Sequence, residues 1–195
     1  VGEARLRKVG SGFARDVLAF HRPAPSFSPM RTTVILAALL AAALLRAGPE
    51  YPNRGPDIYD IKADGFVLIQ TALQQAKAEN KSVLLDFGAN WCPWCHALHR
   101  LFTTDDRVRR QLAADYVVVM IDVNQRHGAA RNAAVNEKYG NPIKEGLPML
   151  VVLDADGRQL VTQETGALEQ GGGVEAHDPA KVLAFLRKWA PRPAP

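Results

Sequence analysis

Cysteine is scarce in this chain: its 195 residues hold two, Cys92 and Cys95. A small fold stapled by several disulfides is therefore excluded. No cysteine follows the apolar run near the N-terminus, which rules out a lipid anchor of the cysteine-linked kind there. Long hydrophobic runs are missing as well. The run at 34–45 has 12 residues; as a helix it spans ~18 Å against a hydrocarbon core of ~30 Å, too short to cross a bilayer. Internal repeats are absent, and no group of histidines, cysteines and acids has the spacing of a closed metal site. An excess of positive charge is lacking too, once its position is considered. The 24 Lys and Arg outnumber the 20 Asp and Glu, but seven of the basic and two of the acidic residues precede Gly48. The remainder holds 17 basic and 18 acidic residues, a net of −1. It offers no electrostatic reason to expect a nucleic-acid partner.

What is present fits an ordinary globular domain. Hydrophobic residues make up 47% and charged residues 23%, and the length suffices for one domain with a proper core. Residues 1–29 are basic, carry Pro23, Pro25 and Pro29, and show no sustained apolar period. Met30-Arg31 then leads into the apolar run, with small residues up to Ala47. A basic residue, a short apolar core and small residues are the grammar of a secretory signal peptide. The expected organisation is an upstream segment and signal peptide over 1–47, a Pro/Gly linker over 48–57, one domain over 58–190 and a tail over 191–195. The expected location is periplasmic or secreted, with membrane contact only through the leader where it stays uncleaved.

Within the domain, apolar periodicity predicts a helix over 66–80 and a short buried strand over 82–87. A helix starts at the cysteine motif, and Thr104-Asp105-Asp106 supplies a cap and acids for another over 107–114. The run YVVVMIDV at 116–123 reads as a central strand covered on both faces. A helix over 129–139 precedes Gly140-Asn141-Pro142. A strand over 149–153 turns through Asp154-Ala155-Asp156-Gly157 into a hairpin partner over 158–165. Gly171-Gly172-Gly173 marks a loop, and Asp178-Pro179 starts a last helix. These elements predict an α/β fold, a central mixed sheet with helices on both faces.

The chemistry-bearing motif is Cys92-Pro93-Trp94-Cys95. At a strand-to-helix junction this spacing places the first sulfur at the helix start, where free N–H groups and the helix dipole favour thiolate. Such motifs lower the first thiol's pKa to about 3.5–7.5. Cys92 then attacks a disulfide and Cys95 resolves the mixed disulfide. Three other readings share the spacing. A structural disulfide would close a four-residue ring and contribute about 2 kcal/mol on the loop-entropy argument. With His96, the motif also fits c-type haem attachment, for which Met120 or Met149 would be available as second ligands. Cys92, Cys95 and His99 could start a zinc site, but no fourth ligand is evident.

The flanking residues favour the redox reading. Val83-Leu84-Leu85-Asp86-Phe87-Gly88-Ala89-Asn90-Trp91-Cys92 closely resembles the strand entering the active site of the thioredoxin family. Gly146-Leu147-Pro148 before MLVVL resembles that family's loop with a proline in cis, and Thr165-Gly166-Ala167-Leu168 resembles the stretch ahead of its last helix. The three matches, in order, fall within 81–189. The resemblance implies a thioredoxin fold and thiol–disulfide exchange with protein substrates, dithiol or disulfide, together with a redox partner that recycles the cysteines. It implies that Asp86 is buried beneath the cysteines, where desolvation raises its pKa and fits it to exchange the Cys95 proton. It implies that Leu147 and cis-Pro148 face the cysteines and pair with a substrate backbone. Trp91 at the rim, Pro93 in the first helical turn and Trp94 beside the nucleophile complete the expected substrate-binding set. No metal or organic cofactor is required, because the cysteines carry the electrons.

The chain also departs from that pattern. Pro93-Trp94 stands where thioredoxin has Gly-Pro, so the direction of electron flow does not transfer. Met120 stands where the family has a lysine beside the buried acid, and 124–146 is longer than its counterpart. A redox-inert binding or chaperone-like module on the same fold is the rival class. A peroxide-reducing enzyme is a weaker one, since no peroxidatic motif surrounds either cysteine.

Overall fold

A computed structural model describes residues 55–124, 126 and 130–191. The upstream segment, the signal-peptide reading, most of the linker and most of the tail lie outside the described residues. Among the described residues, no helix is long and apolar enough to cross a membrane.

The elements run α1 (Gly65–Glu79), β1 (Ser82–Gly88), α2 (Pro93–Thr104), α3 (Asp106–Asp115), β2 (Tyr116–Asp122) and α4 (Ala133–Lys138), then a 3-10 turn at Pro142–Glu145. They continue with β3 (Met149–Leu153), β4 (Gln159–Glu164), a 3-10 turn at Thr165–Leu168 and α5 (Pro179–Lys188). The sheet order is β2-β1-β3-β4, with β1 parallel to β2 and antiparallel to β3, and β3 antiparallel to β4. This is the mixed sheet that the sequence predicts.

Strand alternation sorts the core into two layers. Val83, Leu85 and Phe87 of β1 point to one face with Met149, Val151 and Leu153 of β3, and pack against Ile69, Ala72 and Ala76 of α1. Leu84 points to the other face with Leu150 and Val152, against Leu98 of α2, Leu112 of α3 and Leu186 of α5. Asp86 shares the parity of Leu84, so the strand aims it at the α2 side. Every residue of β1 is buried.

Helix starts follow local capping chemistry. Asp64, Asp105 and Asp178 each accept backbone N–H bonds at the starts of α1, α3 and α5. Pro179 takes the first position of α5, where no N–H is needed.

Two expectations need correction. The apolar run at 116–123 is an edge strand, with Val118 37% exposed. The fully buried strand beside β1 is β3. Composition alone cannot separate a covered edge strand from a central one, because pairing order is set by the whole topology. The helix expected over 129–139 spans only Ala133–Lys138. Asn132 has φ 50, in the left-handed region, and its side chain is tied elsewhere. Its amide oxygen accepts from Gly65 N at 2.8 Å and its amide nitrogen donates to Asp122 O at 2.9 Å. Arg131 ion-pairs with Asp122. These ties hold the segment away from helical geometry.

Ahead of α1, residues 58–59 are strapped to the β1–α2 junction. The Asn90 side chain accepts from Ile58 N and Tyr59 N, both at 2.9 Å, and donates to Tyr59 O at 3.0 Å. Asn90 and Tyr59 are each 2% exposed. Truncating Asn90 therefore leaves buried backbone groups unpaired, which costs about 1–3 kcal/mol. We expect Asn90→Ala to lower the unfolding free energy by that much, read as a lower urea midpoint with an unchanged m-value; a midpoint equal to the native one would show that the strap does not hold the fold.

Candidate active site

The end of β1 delivers the site. The strand leaves the sheet at Gly88, and Ala89-Asn90-Trp91 turns the chain into α2, whose N-cap is Cys92. The Cys92 sulfur accepts from Cys95 N at 3.2 Å, doing with sulfur what a capping oxygen does elsewhere. Pro93 sits in the first turn, where its missing N–H costs nothing. Cys92 and Cys95 are free thiols, 3% and 0% exposed.

Their electrostatics diverge. Hydrogen bonding from the Cys95 side chain, helped by backbone N–H groups of the helix start, holds the Cys92 thiol below its ordinary value, against an opposing effect of burial. Burial, then the neighbouring Cys92, pushes the Cys95 thiol well above its ordinary value. The first sulfur thus gives up its proton more readily than the second, the order that attack followed by resolution requires.

Asp86 lies fully buried beneath them. Burial raises its carboxyl from 3.8 to about 7, a hydrogen bond from Tyr59 offsetting part of the effect. The Tyr59 hydroxyl donates to Asp86 Oδ1 at 2.9 Å, while Oδ2 has no hydrogen-bond partner. Met120 stands opposite Asp86 on β2, so the side chain from that strand is apolar. Tyr59 fills the polar role instead, from a segment far away in sequence. No pattern around Pro56-Asp57-Ile58-Tyr59 signals this; the contact exists only in the folded chain.

A groove of about 490 Å³ runs past the nucleophile, lined by Trp91, Cys92, Pro93, Trp94, Arg126 and Leu147 among others. Leu147-Pro148 is a cis peptide bond. The Leu147 carbonyl accepts from the Cys92 thiol at 3.7 Å, and Pro148 O accepts from Thr165 Oγ1 at 2.6 Å. Trp91 donates to Asn124 Oδ1 at 2.9 Å and carries the Arg126 guanidinium over its ring at 4.5 Å. Trp94 meets His177 edge-on at 5.7 Å. His177 is buried with neither ring nitrogen hydrogen-bonded, and burial depresses it to about 4, so it supports Trp94 as a neutral ring. Sequence reasoning passed over His177, which follows the glycine loop with no motif around it.

The other readings of the cysteines find less support. The His96 ring is bonded to Asn90 O at 2.7 Å, Met149 is buried in β3, and Met120 belongs to the cluster around the cysteines. Among the described residues, no three His, Cys, Asp or Glu side chains converge as metal ligands.

A family model described as a thioredoxin-like domain matches residues 69–172, more than half of the chain. The chain belongs to the thioredoxin-like family. Over 131 residues it is 32% identical to the thiol:disulfide interchange protein DsbD of Ralstonia nicotianae, covering 67% of this chain and 20% of that protein. Over 119 residues it is 29% identical to the disulfide bond reductase DsbH of Chlamydia pneumoniae, covering 60% of this chain and 70% of that one. Among solved structures, a disulphide isomerase from Xylella fastidiosa Temecula1 is 32% identical with a TM-score of 0.55, covering 67% of this chain and 95% of that one. The matched region spans about a fifth of the DsbD relatives. The thioredoxin fold expected from the sequence is the fold observed.

In this thioredoxin-like site, the Asp86 carboxyl titrates near 7 when folded and near 3.8 when free. Between those values the folded chain keeps a proton that the unfolded chain releases. The stability linked to this group is complete below 3.8 and is lost as pH rises through 7. Asp86→Asn removes that loss. The variant should exceed the native chain by about 2–4 kcal/mol at pH 8 and match it at pH 3, measured by urea unfolding at both. Equal stability at pH 8 would mean that the fold accommodates the carboxylate without penalty.

Proposed function

We propose that this chain is a thiol–disulfide oxidoreductase acting on protein substrates outside the cytoplasm. One observation carries the reading: the two thiols are driven in opposite directions directly above a buried acid that titrates near neutrality. A structural disulfide needs none of this.

In the reducing direction, the Cys92 thiolate attacks a substrate disulfide. One substrate sulfur leaves, and the other stays bonded to Cys92. Cys95 gives its proton towards Asp86 and attacks Cys92 Sγ, so the Cys92–substrate bond breaks as the Cys92–Cys95 bond forms. The second substrate sulfur departs as thiolate, and two electrons have passed from the pair to the substrate. Oxidation of a substrate dithiol is the reverse sequence, and the reduction potential of the pair sets the direction. A redox partner returns the pair to its starting state.

The groove supplies recognition. Trp91, Pro93, Trp94 and Leu147 line the groove beside Cys92, with Pro148 buried next to Leu147 in the chain, a surface suited to an extended chain with apolar side chains. The apolar run at 34–45, read as the core of a signal peptide, supports the location. The names of the Dsb relatives support the reaction class.

Two substitutions test the assignment. Cys92→Ser should reduce turnover of insulin disulfides by the dithiothreitol-recycled protein to background. Cys95→Ser should leave the first attack intact and accumulate a mixed disulfide, seen as a reducible mass increase. Native turnover no faster than the dithiothreitol background would reject catalysis and favour a binding module, and full turnover by Cys92→Ser would reject Cys92 as the nucleophile. Titration of the native pair in glutathione and dithiothreitol buffers reads the direction: a strongly reducing potential marks a reductase, a strongly oxidising one a disulfide donor.

A further inference from the structure

Tyr59 lies outside the redox motif and its strand and meets both buried groups of the exchange site, Asp86 and Cys95. Its hydroxyl donates to Asp86 Oδ1 at 2.9 Å. The same hydroxyl neighbours the Cys95 thiol. A Cβ built on Gly88 would overlap the Tyr59 hydroxyl and come within 2.8 Å of Cys95 Sγ, so both atoms crowd the space that this glycine leaves open. Tyr59, Cys92 and Cys95 form one packed cluster. The Asp86 hydrogen bond comes from Tyr59, the other carboxylate oxygen has none, and none runs directly from Cys95.

We propose that the Tyr59 hydroxyl relays the proton between Cys95 and Asp86 during resolution of the mixed disulfide. This rests on the exchange reaction proposed above and names a further participant in it. A hydroxyl can accept one proton while donating another. As Cys95 Sγ attacks Cys92 Sγ, the Cys95 proton passes to Tyr59 Oη and the Tyr59 proton passes to Asp86 Oδ1. The Cys92–substrate S–S bond breaks, the Cys92–Cys95 bond forms, and the substrate sulfur leaves with the electron pair. Asp86 ends neutral, Cys95 oxidised and Tyr59 unchanged. Burial and the adjacent Asp86 hold the tyrosine proton well above its ordinary value, so both transfers occur together and no phenolate accumulates.

The position is built. Asn90, two residues before the nucleophile, fixes the backbone of residues 58 and 59 through three hydrogen bonds. The titratable groups facing Asp86 are Tyr59 from the strap and Cys92 and Cys95 from the start of α2. The flanking strands place Met120 and Leu150 opposite it.

Tyr59→Phe removes the hydroxyl and keeps the ring. The test mixes reduced full-length protein with glutathione disulfide, quenches with acid, and follows the Cys92–glutathione adduct by mass against pH. In the native chain the adduct should form and then decay, the decay accelerating as pH rises through about 7, where Asp86 loses its proton. In Tyr59→Phe the adduct should form within about twofold of the native rate, decay at least tenfold more slowly at pH 7.5, and lose the inflection. Asp86→Asn should lose the same inflection, and the double variant should be no slower than Asp86→Asn alone. Native-like decay in Tyr59→Phe overturns the relay. So does an inflection that persists but moves upward, since the hydroxyl would then only tune Asp86. A native chain that never forms the adduct would reject the exchange reaction itself, and a thermal melt separates all of these from misfolding.

Discussion

The buried carboxyl of Asp86 is the constraint around which this structure is organised. Strand alternation turns it towards α2, and the burial of β1 by its neighbours withholds water from it. An unpartnered charge there would cost several kcal/mol, so the group stays neutral up to about pH 7 and takes a hydrogen bond from Tyr59. That single placement accounts for the strap ahead of α1 and the glycine at the end of β1. Gly88 is required because Tyr59 and Cys95 converge where a side chain would be.

The cysteines divide their labour by position. Cys92 caps α2 and is served by the helix N–H groups, while Cys95 lies one turn inside, against the sheet. The same two residues in a loop would have nearly equal thiols. The hydrogen bond from Cys95, helped by the helix start, lowers one and the core raises the other, so the two thiols of a four-residue motif become unequal. The lysine that the family places beside the acid is absent here. A tyrosine from another segment supplies a neutral donor, which leaves the proton on the acid more readily than a cation would.

Much of this was legible in the chain. Capping aspartates, the period-3.6 stripe of α1 and the short apolar runs of β1 and β3 signalled most elements, since each depends on residues a few positions apart. Cys92, Cys95 and Asp86 were legible through their shared local motif. The place of β2 in the sheet was not, because a run of valines suits an edge or a centre equally. The start of α4 was hidden by Asn132, whose left-handed backbone is held by Gly65 and Asp122. Tyr59 and His177 were invisible for the same reason, their partners being 27 and 83 positions away.

By itself the sequence determined the fold class and the spacing of the two cysteines, because hydrophobic period, helix capping and thiol spacing are local properties, and its resemblance to the thioredoxin family pointed to the acid beneath them. Only the tertiary structure decided what Asp86 touches, which strand lies at the sheet edge and what backs Trp94. Those are outcomes of packing between distant segments, and chain order does not encode them locally.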